Sequence, residues 1–349
     1  MEGIFLLKTI NTDIMSDYTK KSIAAFPRTL FRGVGQVMFQ DNMWTGILFM
    51  AGIYWGAYEE GIGIVAWGAL VGVIVSTLTG YVLHLSDQNG AQGLWGFNGV
   101  LVGCAFPTFL GNTVWMWIAL VLCSASTTWA RSGMDNVLGR WKMSSLTFPF
   151  VVCTWVFLLA SRLFAGMPAE NMGTPEFADG MQGVLDIRFG SLCVYWLKGI
   201  AQVFLINSWV TGIFFLAGLA VSSWRAAVWA AVSSAIALIV AIVWGAPGHD
   251  VANGLYGFSA VLTGIALGAT FCNFSWKAAI WAVIGIVATV FAQGAMNSFF
   301  SPMGLPTLTG PFCLTTWMFL LPAYKFLAPE QGSAPAAKGA PSAPDAQKK

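Results

Sequence analysis

An all-α integral membrane fold is predicted for this chain: two inverted-topology halves, each of five transmembrane helices plus one short re-entrant pore helix, ten spans in total. Three observations predict it. The first is the scarcity of charge. Of 349 residues, 57% are hydrophobic and 9% charged, whereas soluble domains carry about 25% charged residues. Asp, Glu, Lys and Arg are missing from 88–130, 143–161, 199–224, 251–276 and 278–324. Tracts of that kind belong in lipid or inside a membrane bundle. They are continuous rather than alternating, which selects helices over a barrel.

The second observation is a short motif that occurs twice. LWGFNGVLVG (94–103) and LYGFSAVLTG (255–264) match in register, with Phe97 on Phe258 and Leu101 on Leu262, at an offset of 255 − 94 = 161. Each is far shorter than the roughly 20 residues a spanning helix takes. Short glycine-interrupted segments at matching positions of two halves mark the substrate path of duplicated transporters. The third observation is that two more blocks recur in the same order. RGVGQVMFQDNMWTGILFMAG (32–52) aligns on KGIAQVFLINSWVTGIFFLAG (198–218), and LTFPFVVCTWVFLL (146–159) on LTGPFCLTTWMFLL (308–321). Their offsets are 198 − 32 = 166 and 308 − 146 = 162. Shared order and spacing indicate duplication. Five spans per half is an odd number, so the second half enters from the opposite side.

The elements follow in order. Residues 1–25 form a polar N-terminal arm without a cleavable signal sequence. The first transmembrane repeat, 26–163, opens with an apolar stretch broken by Gly33 and Gly35, then spans at 43–58 and 62–85. The short motif and Pro107 come next, then a span at 112–130, a charged loop at 131–142 and a last span at 147–163. The acidic inter-repeat linker, 164–190, holds Glu170, Glu176, Asp179 and Asp186. The second, inverted repeat occupies 191–325, and 326–349 is an Ala/Pro/Gly/Lys-rich disordered tail. Ten spans bring both termini to one side, together with Lys20, Lys21, Arg28, Arg32, the 131–142 loop and Lys325. The positive-inside rule makes that side cytoplasmic, in the cell (inner or plasma) membrane; Arg225 falls on the other side.

The residues left for chemistry are few. A net charge of +2 implies no nucleic-acid partner. The six cysteines have no CxxC spacing and read as packing residues. His84 and His249 sit at span edges without a metal-spaced partner, so no metal, cofactor or enzymatic centre is expected. No Asp or Glu falls clearly within a predicted span, which argues against ion coupling, since buried carboxylates are the usual coupling sites. What recurs in both halves is neutral. Gln36 and Gln202 offer amides; Thr147 and Thr309 offer hydroxyls two residues before a proline, which frees a backbone carbonyl. Phe97 and Phe258 stand nearby. Each type has an ordinary structural use alone, as a helix-bridging Gln, a kink-relieving Thr or a core Phe, but equivalent residues converge at the axis of an inverted repeat. A narrow pore rich in neutral acceptors suits a small, uncharged, donor-rich solute and serves ions poorly.

These residues resemble the urea transporter (urea channel) family, and the chain is similar to its bacterial members. The resemblance covers about 26–325 and is most specific at LPTLTGPF (305–312), SLTFPF (145–150) and the paired GFNGVLVG and GFSAVLTG. It implies a homotrimer in membrane lipid, one pore per protomer, passing urea passively in both directions. It also implies a filter of apolar slots flanked by oxygen ladders, suited to a flat molecule with four N–H donors and one carbonyl. Gln36 and Gln202 would then stand at the two urea-binding ends. One slot would be Phe39, Phe97 and Leu101; the other Leu205, Phe258 and Leu262, with Val203 beside it. Thr147 and Thr309 would form the central constriction. Leu205 replaces the Phe expected opposite Phe39, so that slot is looser. Alternatives are a channel for another small neutral solute (a short amide, ammonia or water) or an ion-coupled secondary transporter.

Overall fold

The computed structural model describes residues 25–178 and 183–322. The predicted N-terminal arm and tail lie outside these residues, save for Ala25 at the arm's end, as does Asp179 of the linker. Among the described residues the secondary structure is helical, apart from one isolated bridge between Leu110 and Ala169. The helices are α1 (25–36), α2 (Met43–Glu59), α3 (Ile64–Val82), α4 (Asp87–Ala91), α5 (Phe97–Phe109), α6 (Val114–Leu138) and α7 (Phe148–Ser161). After the linker come α8 (Phe189–Ala201), α9 (Trp209–Ser222), α10 (Trp224–Val243), α11 (Gly248–Ala252), α12 (Phe258–Ile265), α13 (Trp276–Phe300) and α14 (Gly310–Leu320).

The two sets correspond closely. Helices α6 and α13 each have 25 residues, and both ends are displaced by 276 − 114 = 300 − 138 = 162. The motif at 94–103 leads into α5, and its counterpart leads into α12, which a π-helical segment, Ala266–Thr270, prolongs. At a rise of 1.5 Å per residue, the 13 residues of α5 reach only about 20 Å, well short of a bilayer core.

Among the described residues three helices are long and apolar enough to cross a membrane: Ile64–Val82, Trp224–Val243 and Trp276–Met303. A fourth span is possible by the same criterion if Phe189–Phe204 and Trp209–Ser222, bent by 71°, count as one. The sequence predicts ten. Part of the gap is helix length, since Phe148–Ser161 and Gly310–Leu320 are short apolar helices. The predicted loop at 131–142 is corrected outright. Helix α6 continues to Leu138 because Arg131 and Asp135, one turn apart, neutralise each other at 3.0 Å. Asp135 therefore lies on a helix rather than in a loop.

The densest seam joins α3 to α5. Four glycines face each other there, and a Cβ on Gly103 would stand 2.1 Å from Gly68 O, one on Gly72 2.1 Å from Gly99 O. Small residues four apart let helix backbones touch, the close packing favoured where lipid gives no hydrophobic drive. A second seam joins the halves through α2 and α9. Thr45 Oγ1 donates to Gly218 O and Thr211 Oγ1 to Gly52 O, each at 2.7 Å. The two bonds are reciprocal, since 45 + 166 = 211 and 52 + 166 = 218. The rings of Phe49, Phe204 and Phe215 close the same seam, with centroids 5.0–5.8 Å apart.

Candidate functional site

The site is assembled where α1 and α8 end and where α5, α7, α12 and α14 begin. Gln36 closes α1, and its Nε2 donates to Gln92 O, beyond α4, at 2.8 Å. Gln202 opens the 3-10 turn Gln202–Phe204 after α8 and donates to Asn253 O, beyond α11, at 2.9 Å. The two contacts occupy equivalent positions. Each commits the amide N–H to the fold, and among the described residues no hydrogen bond engages either Oε1.

Each glutamine is followed by a tight turn ending in left-handed backbone, at Phe39 (φ 63°) and Leu205 (φ 58°). A side chain there costs roughly 1–2 kcal/mol, so packing must hold both turns. Phe39 meets Phe271 edge-on at 5.5 Å and Phe312 at 6.1 Å. The sequence grouped Phe39 with Phe97 and Leu101; its ring partners come from the second half. Phe97, Leu101, Val203, Phe258 and Leu262 share one buried apolar core, and Phe39 and Leu205 pack against it.

Thr147 and Thr309 precede α7 and α14, and their hydroxyls meet at 2.6 Å, both residues 3% exposed. Thr147 Oγ1 also lies 3.4 Å from Cys313 Sγ. The expectation that the following prolines free a carbonyl is corrected. Pro149 and Pro311 sit in the first turn of their helices, where an N–H would have no helical partner anyway. Of the loop carbonyls preceding them, two are claimed from across the interface: Trp317 Nε1 donates to Ser144 O and Trp155 Nε1 to Pro306 O, each at 2.9 Å.

Charge lies at the ends of this arrangement. Near Gln36, Arg32 Nε pairs with Asp41 at 3.1 Å. Burial pushes the Asp41 carboxyl up, and Arg32 and Arg28 pull against it. Near Gln202, burial raises Glu60, while the Asn207 N–H and Lys198 draw it down. Ser208 Oγ donates to Glu59 at 2.5 Å. Asn207 Nδ2 reaches Asn253 Oδ1 at 3.0 Å, tying that turn to the short helix α11. The arrangement can present neutral oxygens and apolar faces to a small solute between two charged ends.

Sequence reasoning missed four contributors. Phe271 and Phe312 are unremarkable apolar residues until the fold brings them to Phe39. Asn98 Oδ1 accepts from Phe150 N at 3.2 Å, pinning the start of α7; its counterpart Ser259 has a buried Oγ with no partner among the described residues. Arg131 stands over the Phe97 ring, and the i, i+4 spacing to Asp135 was the available signal.

A family profile described as "Urea transporter" matches residues 28–324. Among curated proteins, urea transporter 1 of sheep (Ovis aries) is 29% identical over 310 residues, covering 86% of this chain and 78% of its own length. Urea transporter 1 of the rat (Rattus norvegicus) is 29% identical over 318 residues, with the same shares covered. Relatives so named and apolar helices throughout make this a membrane transport protein rather than an enzyme. Because the profile takes in nearly the whole described helical body, from α1 through α14, the chain belongs to the urea transporter family.

Proposed function

We propose that the chain is a passive urea channel whose pore runs along the junction of two inverted halves. The observation that carries this reading is the meeting of Thr147 and Thr309 hydroxyls at 2.6 Å, from equivalent positions in the two halves. Two hydroxyls bonded to each other can exchange that bond for bonds to a passing solute, each serving as donor or acceptor. Gln36 and Gln202 stand at the two ends, and the apolar slots of Phe39, Phe97 and Leu101 and of Leu205, Phe258, Leu262 and Val203 lie between. Flat apolar slots take the plane of urea while the oxygens take its N–H groups.

The reciprocal contacts support the inverted arrangement. Thr45 with Gly218 answers Thr211 with Gly52, and Trp155 with Pro306 answers Trp317 with Ser144. In this reading α1, α2, α3, α6 and α7, with α8, α9, α10, α13 and α14, form ten spans. Helices α5 and α12 are the re-entrant pore helices, and 164–190 links repeats at 26–163 and 191–325. Three such protomers assemble in lipid, each with its own pore, in the plasma membrane with both termini cytoplasmic.

Stopped-flow light scattering of proteoliposomes tests the mechanism. Urea flux should be fast, equilibrate urea without concentrating it and ignore imposed proton or sodium gradients. Uphill accumulation driven by either ion would make it a coupled transporter. Phe258→Ala should widen one slot and admit bulkier amides such as N-methylurea; a variant as selective as wild type would remove Phe258 from the filter.

A further inference from the structure

Behind the Phe97 ring lies a charge that the pore as described does not use. The Arg131 guanidinium carbon stands over that ring, 5.6 Å from its centroid. Arg131 is 7% exposed, and its Nε has no hydrogen-bond partner among the described residues. Its Nη2 pairs with Asp135 Oδ2 at 3.0 Å. Asp135 Oδ1 in turn accepts from Ser145 N at 2.8 Å, two residues before Thr147. One ion pair therefore touches both a slot and the loop that carries the constriction.

The second half builds the same brace without charge. At the 162-residue offset, Gln293 stands for Arg131, Asn297 for Asp135 and Thr307 for Ser145. Gln293 Nε2 donates to Asn297 Oδ1 at 2.9 Å and to Thr307 Oγ1 at 2.7 Å. Holding the loop thus requires no charge, and a largely buried ionised pair is expensive to keep. The charge must serve something the neutral brace does not.

The face of a phenyl ring is its electron-rich side, attractive to cations. Here a guanidinium already occupies one face, with the positive end of the ion pair turned to the ring. A cation approaching the other face would meet a weakened attraction and a like charge behind it. A neutral planar solute meets neither penalty. We infer that Arg131, held by Asp135, is a specificity-determining residue that rejects cations at the Phe97 slot, so that urea passes and guanidinium, its planar cationic counterpart, does not. The inference rests on the urea-channel reading.

The test compares guanidinium and urea entry into proteoliposomes for wild type and Arg131→Gln/Asp135→Asn, the pair the second half already uses. The guanidinium-to-urea flux ratio should rise by roughly thirtyfold, the scale of a desolvated cation–π contact. An unchanged ratio in a folded double variant overturns the inference. Arg131→Lys is measured beside it, because it keeps the charge and does not depend on the double variant folding. It should still exclude guanidinium, and loss of exclusion there would also overturn the inference. Guanidinium entry is read separately against protein-free liposomes. Failure of wild type to carry urea would sink the functional reading, while guanidinium entry of the double variant relative to wild type would still decide the cation comparison.

Discussion

Thr309→Val lowers urea flux by roughly tenfold or more, with expression and assembly unchanged, and Thr147→Val does the same. Valine keeps the shape of threonine and removes the hydroxyl. In the native site the two hydroxyls share one hydrogen bond at 2.6 Å, and Thr147 Oγ1 has Cys313 Sγ as a second neighbour. A solute that displaces this bond must be offered bonds in return. In Thr309→Val the Thr147 hydroxyl retains only the weak Cys313 Sγ contact at 3.4 Å, in Thr147→Val the Thr309 hydroxyl loses its one side-chain partner among the described residues, and in both the solute sheds water against a methyl. An unreplaced hydrogen bond in a dry site costs about 1–3 kcal/mol, and each 1.4 kcal/mol of barrier is about tenfold in rate. Thr147→Ser should retain most of the flux. Wild-type flux in either Val variant would move the constriction elsewhere.

Gly103→Ala should disrupt folding strongly. The added methyl would meet Gly68 O at 2.1 Å, Gly68 C at 2.5 Å and Ala69 Cα at 2.8 Å, all backbone of α3. No side chain can rotate away, so the helices must part. Overpacking of this kind costs typically about 1–3 kcal/mol and at times more. Separation would also move Phe97 and Leu101, which α5 carries. The control is Gly133→Ala on α6, where nothing lies within 4 Å. At an open helical position alanine is favoured by about 0.4–1 kcal/mol. Thermal unfolding in detergent should show a large loss for the first variant and none for the second. Equal behaviour of the two would mean that α3 and α5 do not touch as described.

The duplicated skeleton was legible because it is written in residue identities: Gln36 with Gln202, Phe97 with Phe258, Thr147 with Thr309. Three offsets sufficed to pair α2 with α9, α5 with the α12 region and α7 with α14 before any coordinates, and α6 with α13 fell into place only with the structure. What escaped depends on contacts between distant residues. Phe39 finds Phe271 and Phe312 only after the halves close, and no local pattern predicts that. The left-handed turns at Phe39 and Leu205 were hidden because neither residue favours that backbone; tertiary packing imposes it. Arg131 and Asp135 were misassigned to a loop because charge was counted residue by residue. Counted as a neutral pair, they continue a helix.

The seam between α2 and α9 has a consequence for how the protein is made. Thr45 and its acceptor Gly218 are 173 residues apart, and Trp155 and Pro306 are 151 apart. At a synthesis rate of about 5–20 residues per second, Thr45 leaves the ribosome roughly 10–35 s before its partner exists. Until then the inner face of the first half, with Phe49 and the hydroxyls of Thr45 and Thr147, has nothing of the second half to close upon. The newborn half must be sheltered by the insertion machinery or held loosely in lipid, and the proposed constriction forms only when α14, the last of the described helices, brings Thr309 to Thr147.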